Sequence, residues 1–112
     1  MTADTFVDLD GLEPREPMPG FRGRFVHTER TTIVYWDVAA GAILPEHAHP
    51  HEQVSSLLDG VFDMTVDGVT HRMTADTVSV IEPHTAHSGR AITDCRFIDV
   101  FCPVREDYRS HR

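Results

Sequence analysis

The chain contains no lysine and no asparagine, and Gln53 is its one glutamine. All ten basic residues are arginine. Without lysine there is no Schiff-base amine and no phosphate-cradling P-loop lysine. There is no G-x-S-x-G either, which removes the serine nucleophile elbow. Long hydrophobic runs are missing: the longest, Val38 to Leu44, has seven residues and includes Gly41. About 18 are needed to span a bilayer, so no membrane helix is encoded. The opening residues show neither a basic segment nor an apolar stretch, so no secretory signal is visible and a cytoplasmic location is expected. Cysteine is scarce. Cys95 and Cys102 lie an odd number of residues apart; on one strand they face opposite ways and cannot pair, so two reduced thiols are expected.

What is present bounds the class. A length of 112 residues makes one domain with one modest core. With 40% hydrophobic and 25% charged residues, the balance is globular and not disordered. Ten basic against eighteen acidic residues leave a net charge of −8, which disfavours nucleic acid as a partner.

Residues 1–20 hold Pro14, Pro17 and Pro19 and read as an N-terminal arm, irregular or at a sheet edge, with the domain proper at 21–112. The rest reads as short strands separated by turns: Phe21 to His27, Thr31 to Val38, Gln53 to Leu58, Val61 to Val66, Val69 to Met73, Thr77 to Ile81 and Arg96 to Cys102. Asp59-Gly60 and Asp67-Gly68 sit between such runs, where an Asp-Gly pair signals a hairpin. No stretch shows a sustained 3.6-residue period. The pattern predicts an all-β sandwich or barrel, with a polar tail from Arg105 to Arg112 that forms a short helix or frays.

Eight histidines are many for this length, and His47, His49 and His51 alternate within five residues. Neutral imidazole is the commonest protein ligand for zinc, nickel, copper and iron. On a strand, residues two apart share a face, so His47 and His49 can both point into a barrel. A further donor is then wanted nearby. Gln53 and Glu52 follow, and His87 is a more distant candidate in the loop-like segment Glu82 to His87. Pro50 interrupts the strand before His51, which reads as a residue of the rim or one supporting the ligands. His27, His71, His84 and His111 read as structural or solvated.

The spacing of Gly41, His47, His49, Gln53 and Gly60 resembles the first motif of the cupin family, with Gln53 where an acid is usual. A second cupin motif is degraded: Ala75, Glu82 and His84 replace the preferred Gly, Pro and Gly, and Ala91 replaces Asn, while Pro83 and His87 fit. The resemblance covers about residues 30–105. It implies a cupin double-stranded β-helix, an antiparallel jelly-roll barrel, in which His47, His49, Gln53 and His87 bind one divalent transition metal: zinc, nickel, iron or manganese. Three imidazoles and a carboxamide leave the ion's charge uncompensated, so such a site favours an anionic ligand and non-redox chemistry.

Asp99 lies inside the apolar run Phe97, Ile98, Asp99, Val100, Phe101. A buried carboxylate there needs a partner or a chemical task. Arg105, beyond Pro103, is the candidate partner or a substrate clamp. The run from Pro45 to Gln53 and the ending from Thr93 to Tyr108 resemble the small cupins of uronate catabolism, the KdgF type. That resemblance implies ring opening of a 4,5-unsaturated monouronate from pectin or alginate to a linear keto acid. It places Asp99, Phe101 and Arg105 in the lining of the substrate pocket. The chemistry of those side chains then predicts Asp99 as the proton-transfer group, Arg105 as a bidentate clamp on the sugar carboxylate and Phe101 against the apolar sugar face. The expected partner is thus a small anionic substrate. Two other readings stay open: a sugar or acid sensor without turnover, and an iron-dependent dioxygenase. A fold of this size with exposed terminal strands is expected to form a homodimer, with the arm contributing.

Overall fold

The computed structural model describes residues 5–109. Ten strands follow in chain order: β1 (Arg15–Met18), β2 (Phe21–His27), β3 (Thr32–Val38), β4 (Ile43–His47), β5 (Glu52–Asp59), β6 (Phe62–Val66), β7 (Val69–Met73), β8 (Val78–Ile81), β9 (His87–Ala91) and β10 (Cys95–Cys102). A 3-10 turn at Leu9–Gly11 precedes them, and a single helical turn, α1 (Glu106–Arg109), follows. Among the described residues no helix is long and apolar enough to cross a membrane. The strands form two antiparallel sheets, β1-β2-β3-β10-β5-β8 and β4-β9-β6-β7. This is the expected all-β jelly roll.

Period-two patterning decides which side chains meet between the sheets. On β3, Val34, Trp36 and Val38 are buried, and on β10, Cys95, Phe97, Asp99 and Phe101. Phe62, Met64, Met73 and Ala91 close the core from the second sheet. The Phe62 and Phe97 rings cross edge to face at 5.0 Å, a favoured aromatic contact. Cys95 is buried and Cys102 exposed, so the two thiols are free and on opposite faces, as the odd spacing requires. The prolines between residues 14 and 19 place β1 at a sheet edge, where Pro17 interrupts no central ladder.

The two Asp-Gly pairs behave differently. Asp67 and Gly68 both take positive φ, 49° and 81°, and join β6 to β7 as a tight hairpin. Asp59-Gly60 makes no hairpin: β5 and β6 belong to different sheets, and the chain crosses between them there. Gly60 has φ of 98°, and a Cβ on it would run into the Asp94 carbonyl and lie 2.9 Å from Cys95 Sγ. Glycine is required at this point by close packing as well as by backbone conformation.

Candidate metal centre

Strands β4 and β9 pair so that His47 and His87 stand directly opposite one another. Their rings are 4.2 Å apart, centre to centre. The segment holding His87 was expected to be a loop; the residue in fact opens β9. His49 departs from expectation in the other direction. It lies beyond the end of β4, in the connection that Pro50 breaks before β5 begins. Its inward position comes from the bend of that connection and not from strand alternation. The backbone N–H of His84 donates to the His49 carbonyl at 2.7 Å and helps to hold it.

One hydrogen bond fixes the tautomer of each of the three rings. Nδ1–H of His47 donates to the Pro45 carbonyl at 2.8 Å, that of His49 to His51 at 3.1 Å, and that of His87 to Thr85 at 2.9 Å. A carbonyl can only accept, so each Nδ1 carries the proton and each Nε2 presents a lone pair. Ligand atoms of the three rings lie within 4.8 Å of one another. Burial lowers the His87 pKa to about 4, with the Thr85 carbonyl opposing and His47, His49 and Arg105 adding to the fall. His49 is lowered too, chiefly by burial. Both rings are therefore neutral at neutral pH, the state that binds metal.

Two observations fit this cluster to a cation. The Nε2 of His87 is buried with no hydrogen-bond partner. The Nε2 of His49 lies 3.0 Å from Gln53 Oε1, while the Gln53 amide nitrogen donates to Ser55 Oγ at 3.0 Å. A lone pair and a carbonyl oxygen thus face each other, which repels unless a proton or a metal ion attracts both. Burial disfavours the proton, so the arrangement suits a divalent ion. Glu52, the other nearby candidate, is exposed on the opposite face of β5. His51 contributes its carbonyl to His49, and its ring lies 5.3 Å from the His49 ring. His27 bonds Thr32, His71 and His84 are exposed, and His111 lies outside the described residues.

The pocket, about 40 Å³, runs from His47 and Gln53 past Asp99 and Phe101 to Arg105 and Tyr108. Asp99 is buried opposite Ser55, and the Trp36 indole N–H donates to its Oδ2 at 3.0 Å. Its Oδ1 has no hydrogen-bond partner. Burial raises the carboxyl pKa to about 6, against the opposing pull of the nearby Ser55 hydroxyl, the Trp36 indole and the Arg105 charge. Arg105 makes no ion pair with Asp99, contrary to one expectation. Its Nε and Nη2 donate to the two oxygens of Asp107 at 2.9 and 2.7 Å, and its guanidinium stacks over Phe101 and Tyr108 at 4.8 and 4.2 Å. The chain has already left β10, and the Arg105 backbone N–H is held by Thr32 Oγ1 at 2.8 Å.

A Cupin domain model matches residues 34–101. The chain belongs to the cupin family. It is 30% identical to an RmlC-like cupin from Shewanella frigidimarina, covering 95% of this chain and 96% of that one, with a TM-score of 0.89. It is 27% identical to KdgF from Halomonas sp., covering 93% and 99%, with a TM-score of 0.86. A curated relative, the H2HPP isomerase of Bacillus subtilis, is 27% identical over 105 residues. That match covers 91% of this cupin but 44% of the relative, so the chain spans less than half of the relative's length.

Sequence reasoning missed four residues that shape this cupin's pocket: Trp36, Ser55, Asp107 and Tyr108. Trp36 could have been placed inward by alternation with Val34 and Val38. Its bond to Asp99, across 63 residues, had no local signal.

Proposed function

We propose that this cupin is a metal-dependent enzyme of redox-neutral proton transfer that opens the ring of a 4,5-unsaturated monouronate to a linear keto acid. The observation that carries the reading is Asp99: a buried carboxyl whose pKa is raised to about 6 and whose Oδ1 is left without a partner in the pocket. A general acid or base works best with a pKa near the working pH, and burial, partly offset by Ser55, Trp36 and Arg105, brings Asp99 there. The isomerase name of one relative and the KdgF name of another support a reaction that rearranges atoms without oxidising them.

A divalent ion held by His47, His49, His87 and Gln53 would supply Lewis acidity toward substrate oxygens. The protein's own groups do the rest. Arg105 keeps the Nη1 edge of its guanidinium free of Asp107, and that edge suits the sugar carboxylate. Phe101 packs on the apolar sugar face. Asp99 moves a proton at the anomeric hydroxyl or at the enol-ether carbon. The ring C–O bond breaks, the hydroxyl proton leaves, and carbon gains one, so the product is an isomer of the substrate.

The test is the absorbance of an unsaturated monouronate incubated with metal-loaded protein. Loss of absorbance, absent after chelation, is the expected result; unchanged absorbance with metal analysed and present overturns the reading. A sensor without turnover is the second reading, favoured by the Asp107 oxygens already filling one edge of Arg105. Calorimetric binding of the same uronate without consumption would support it.

A further inference from the structure

The helical turn α1 has four residues, too few to be stable in water by itself, so the rest of the fold must hold it. The Thr32 hydroxyl accepts from the Arg105 N–H at 2.8 Å, just before the turn. The Phe25 ring of β2 meets the Tyr108 ring at 4.8 Å. A further contact comes from the other end of the chain. Nη2 of Arg15, on β1, donates to the Tyr108 carbonyl at 3.0 Å, across 93 residues. Carbonyls in the last turn of a helix have no partner within it, and Arg15 supplies one from outside. The Arg15 guanidinium also lies 4.0 Å over the Phe25 ring, so one side chain braces both the carbonyl and the ring that Tyr108 packs on.

What the turn sets in place is the Tyr108 ring. The N–H groups of Tyr108 and Arg109 both donate to the Arg105 carbonyl, at 3.1 and 3.0 Å. Residues three apart on such a turn share a face, and the ring accordingly lies 4.2 Å from the guanidinium carbon of Arg105. The Phe101 ring stands 4.8 Å from the same carbon and is tilted 72° from the Tyr108 ring, so the guanidinium sits in the corner between them. Asp107 fills its Nε and Nη2 edge. The Arg105 side chain is left 10% exposed and held in one orientation.

We propose that Tyr108 is the positioning residue of the carboxylate clamp and that Arg15 tethers it, so that β1 sets how tightly the site grips the acid group of its substrate. This rests on the reading of Arg105 as that clamp. The physical basis is preorganisation: an arginine already oriented loses little rotamer freedom when an anion arrives. The face of the Tyr108 ring supplies the contact, and its hydroxyl is not needed for it. Asp99 takes its hydrogen bond from Trp36 and not from this corner, so the effect falls on binding and not on proton transfer.

Two measurements on zinc-loaded protein test this: steady-state kinetics on the unsaturated monouronate, and exchange of the Arg105 Nε–H followed by NMR. Tyr108→Leu is expected to raise KM about ten-fold and to leave kcat within about three-fold. It should also speed exchange of the Arg105 Nε–H by about ten-fold, since the corner opens to water. Tyr108→Phe, which keeps the ring, should restore both values. Arg15→Met keeps an apolar stem against Phe25 but deletes the donor, and should give a smaller loss of both. Circular dichroism checks each fold, and Arg15→Met, on an edge strand, decides the matter if Tyr108→Leu does not fold. Should the wild type bind the uronate without consuming it, its calorimetric affinity takes the place of KM. Arg105→Lys is the control for the clamp itself: uronate bound by it as tightly as by the wild type removes the clamp, and this proposal with it. Where that control does weaken binding, unchanged KM and exchange in Tyr108→Leu overturn the positioning role alone. So does Tyr108→Phe that is as damaging as Tyr108→Leu, or a fall in kcat at constant KM.

Discussion

The Trp36 indole and the Asp99 carboxylate, 63 residues apart in sequence, are joined by a 3.0 Å hydrogen bond inside the barrel. The bond favours the charged form and holds the Asp99 pKa below the value that burial alone would set. Trp36→Phe removes the donor and keeps an aromatic ring between Phe21 and Phe25. A charge-assisted hydrogen bond contributes about 1.5–3 kcal/mol, so the Asp99 pKa should rise by roughly one to two units. Carboxyl titration by NMR on metal-free protein measures the shift.

Asp99→Asn should separate stability from turnover. The folded carboxyl titrates at about 6 against 3.8 for an unperturbed one. Below pH 3.8 both folded and unfolded chains hold the proton, and the group is neutral toward stability. Between 3.8 and about 6 the unfolded chain ionises first, so stability falls as pH rises through that window. Above it the ionised group costs about 3 kcal/mol in full. Metal-free Asp99→Asn is therefore expected to melt higher than the wild type at pH 8 and equally near pH 3.5. Its turnover should fall by ~10²-fold or more, with metal content retained.

Loss of two imidazoles should empty the metal site. The His47→Ala, His49→Ala double variant leaves His87 and Gln53, too few donors for tight binding of a divalent ion. Elemental analysis after purification is expected to find no stoichiometric metal. Stoichiometric metal in the variant would move the site elsewhere.

Gly60 and Gly41 both have positive φ, 98° and 85°, but differ in surroundings. A Cβ at Gly41 meets nothing within 4 Å, whereas one at Gly60 strikes the Asp94 carbonyl. Gly41→Ala should cost about 1 kcal/mol, from backbone conformation, and Gly60→Ala roughly 3 kcal/mol or more, since the crossing between sheets must shift. Urea midpoints at a common slope compare them.

How much of the site was legible depended on the distance over which its geometry is set. His47 and His49 were found from their own spacing, yet the structure places His49 in the bend after β4, where alternation does not apply. His87 was found as a distant histidine, but its strand was not, because His87–Ala91 contains Ser88, Gly89 and Arg90 and lacks the β-branched run of a typical strand. Arg105 was recognised as a cation near an isolated acid. Its actual partner, Asp107, is two residues away and was passed over for the more distant Asp99.

By itself the sequence determined what repeats every two residues or closes within four. The shared face of Phe97, Asp99 and Phe101, the opposed thiols of Cys95 and Cys102 and the Asp67-Gly68 hairpin all follow from side-chain alternation and turn conformation, which neighbouring residues specify. Only the tertiary structure decided that Asp59-Gly60 crosses between sheets, that His47 faces His87 and that Trp36 bonds Asp99. Those facts are matters of strand order and register. Each is set by how two whole sheets bury their apolar faces together, a condition that no short stretch of chain contains.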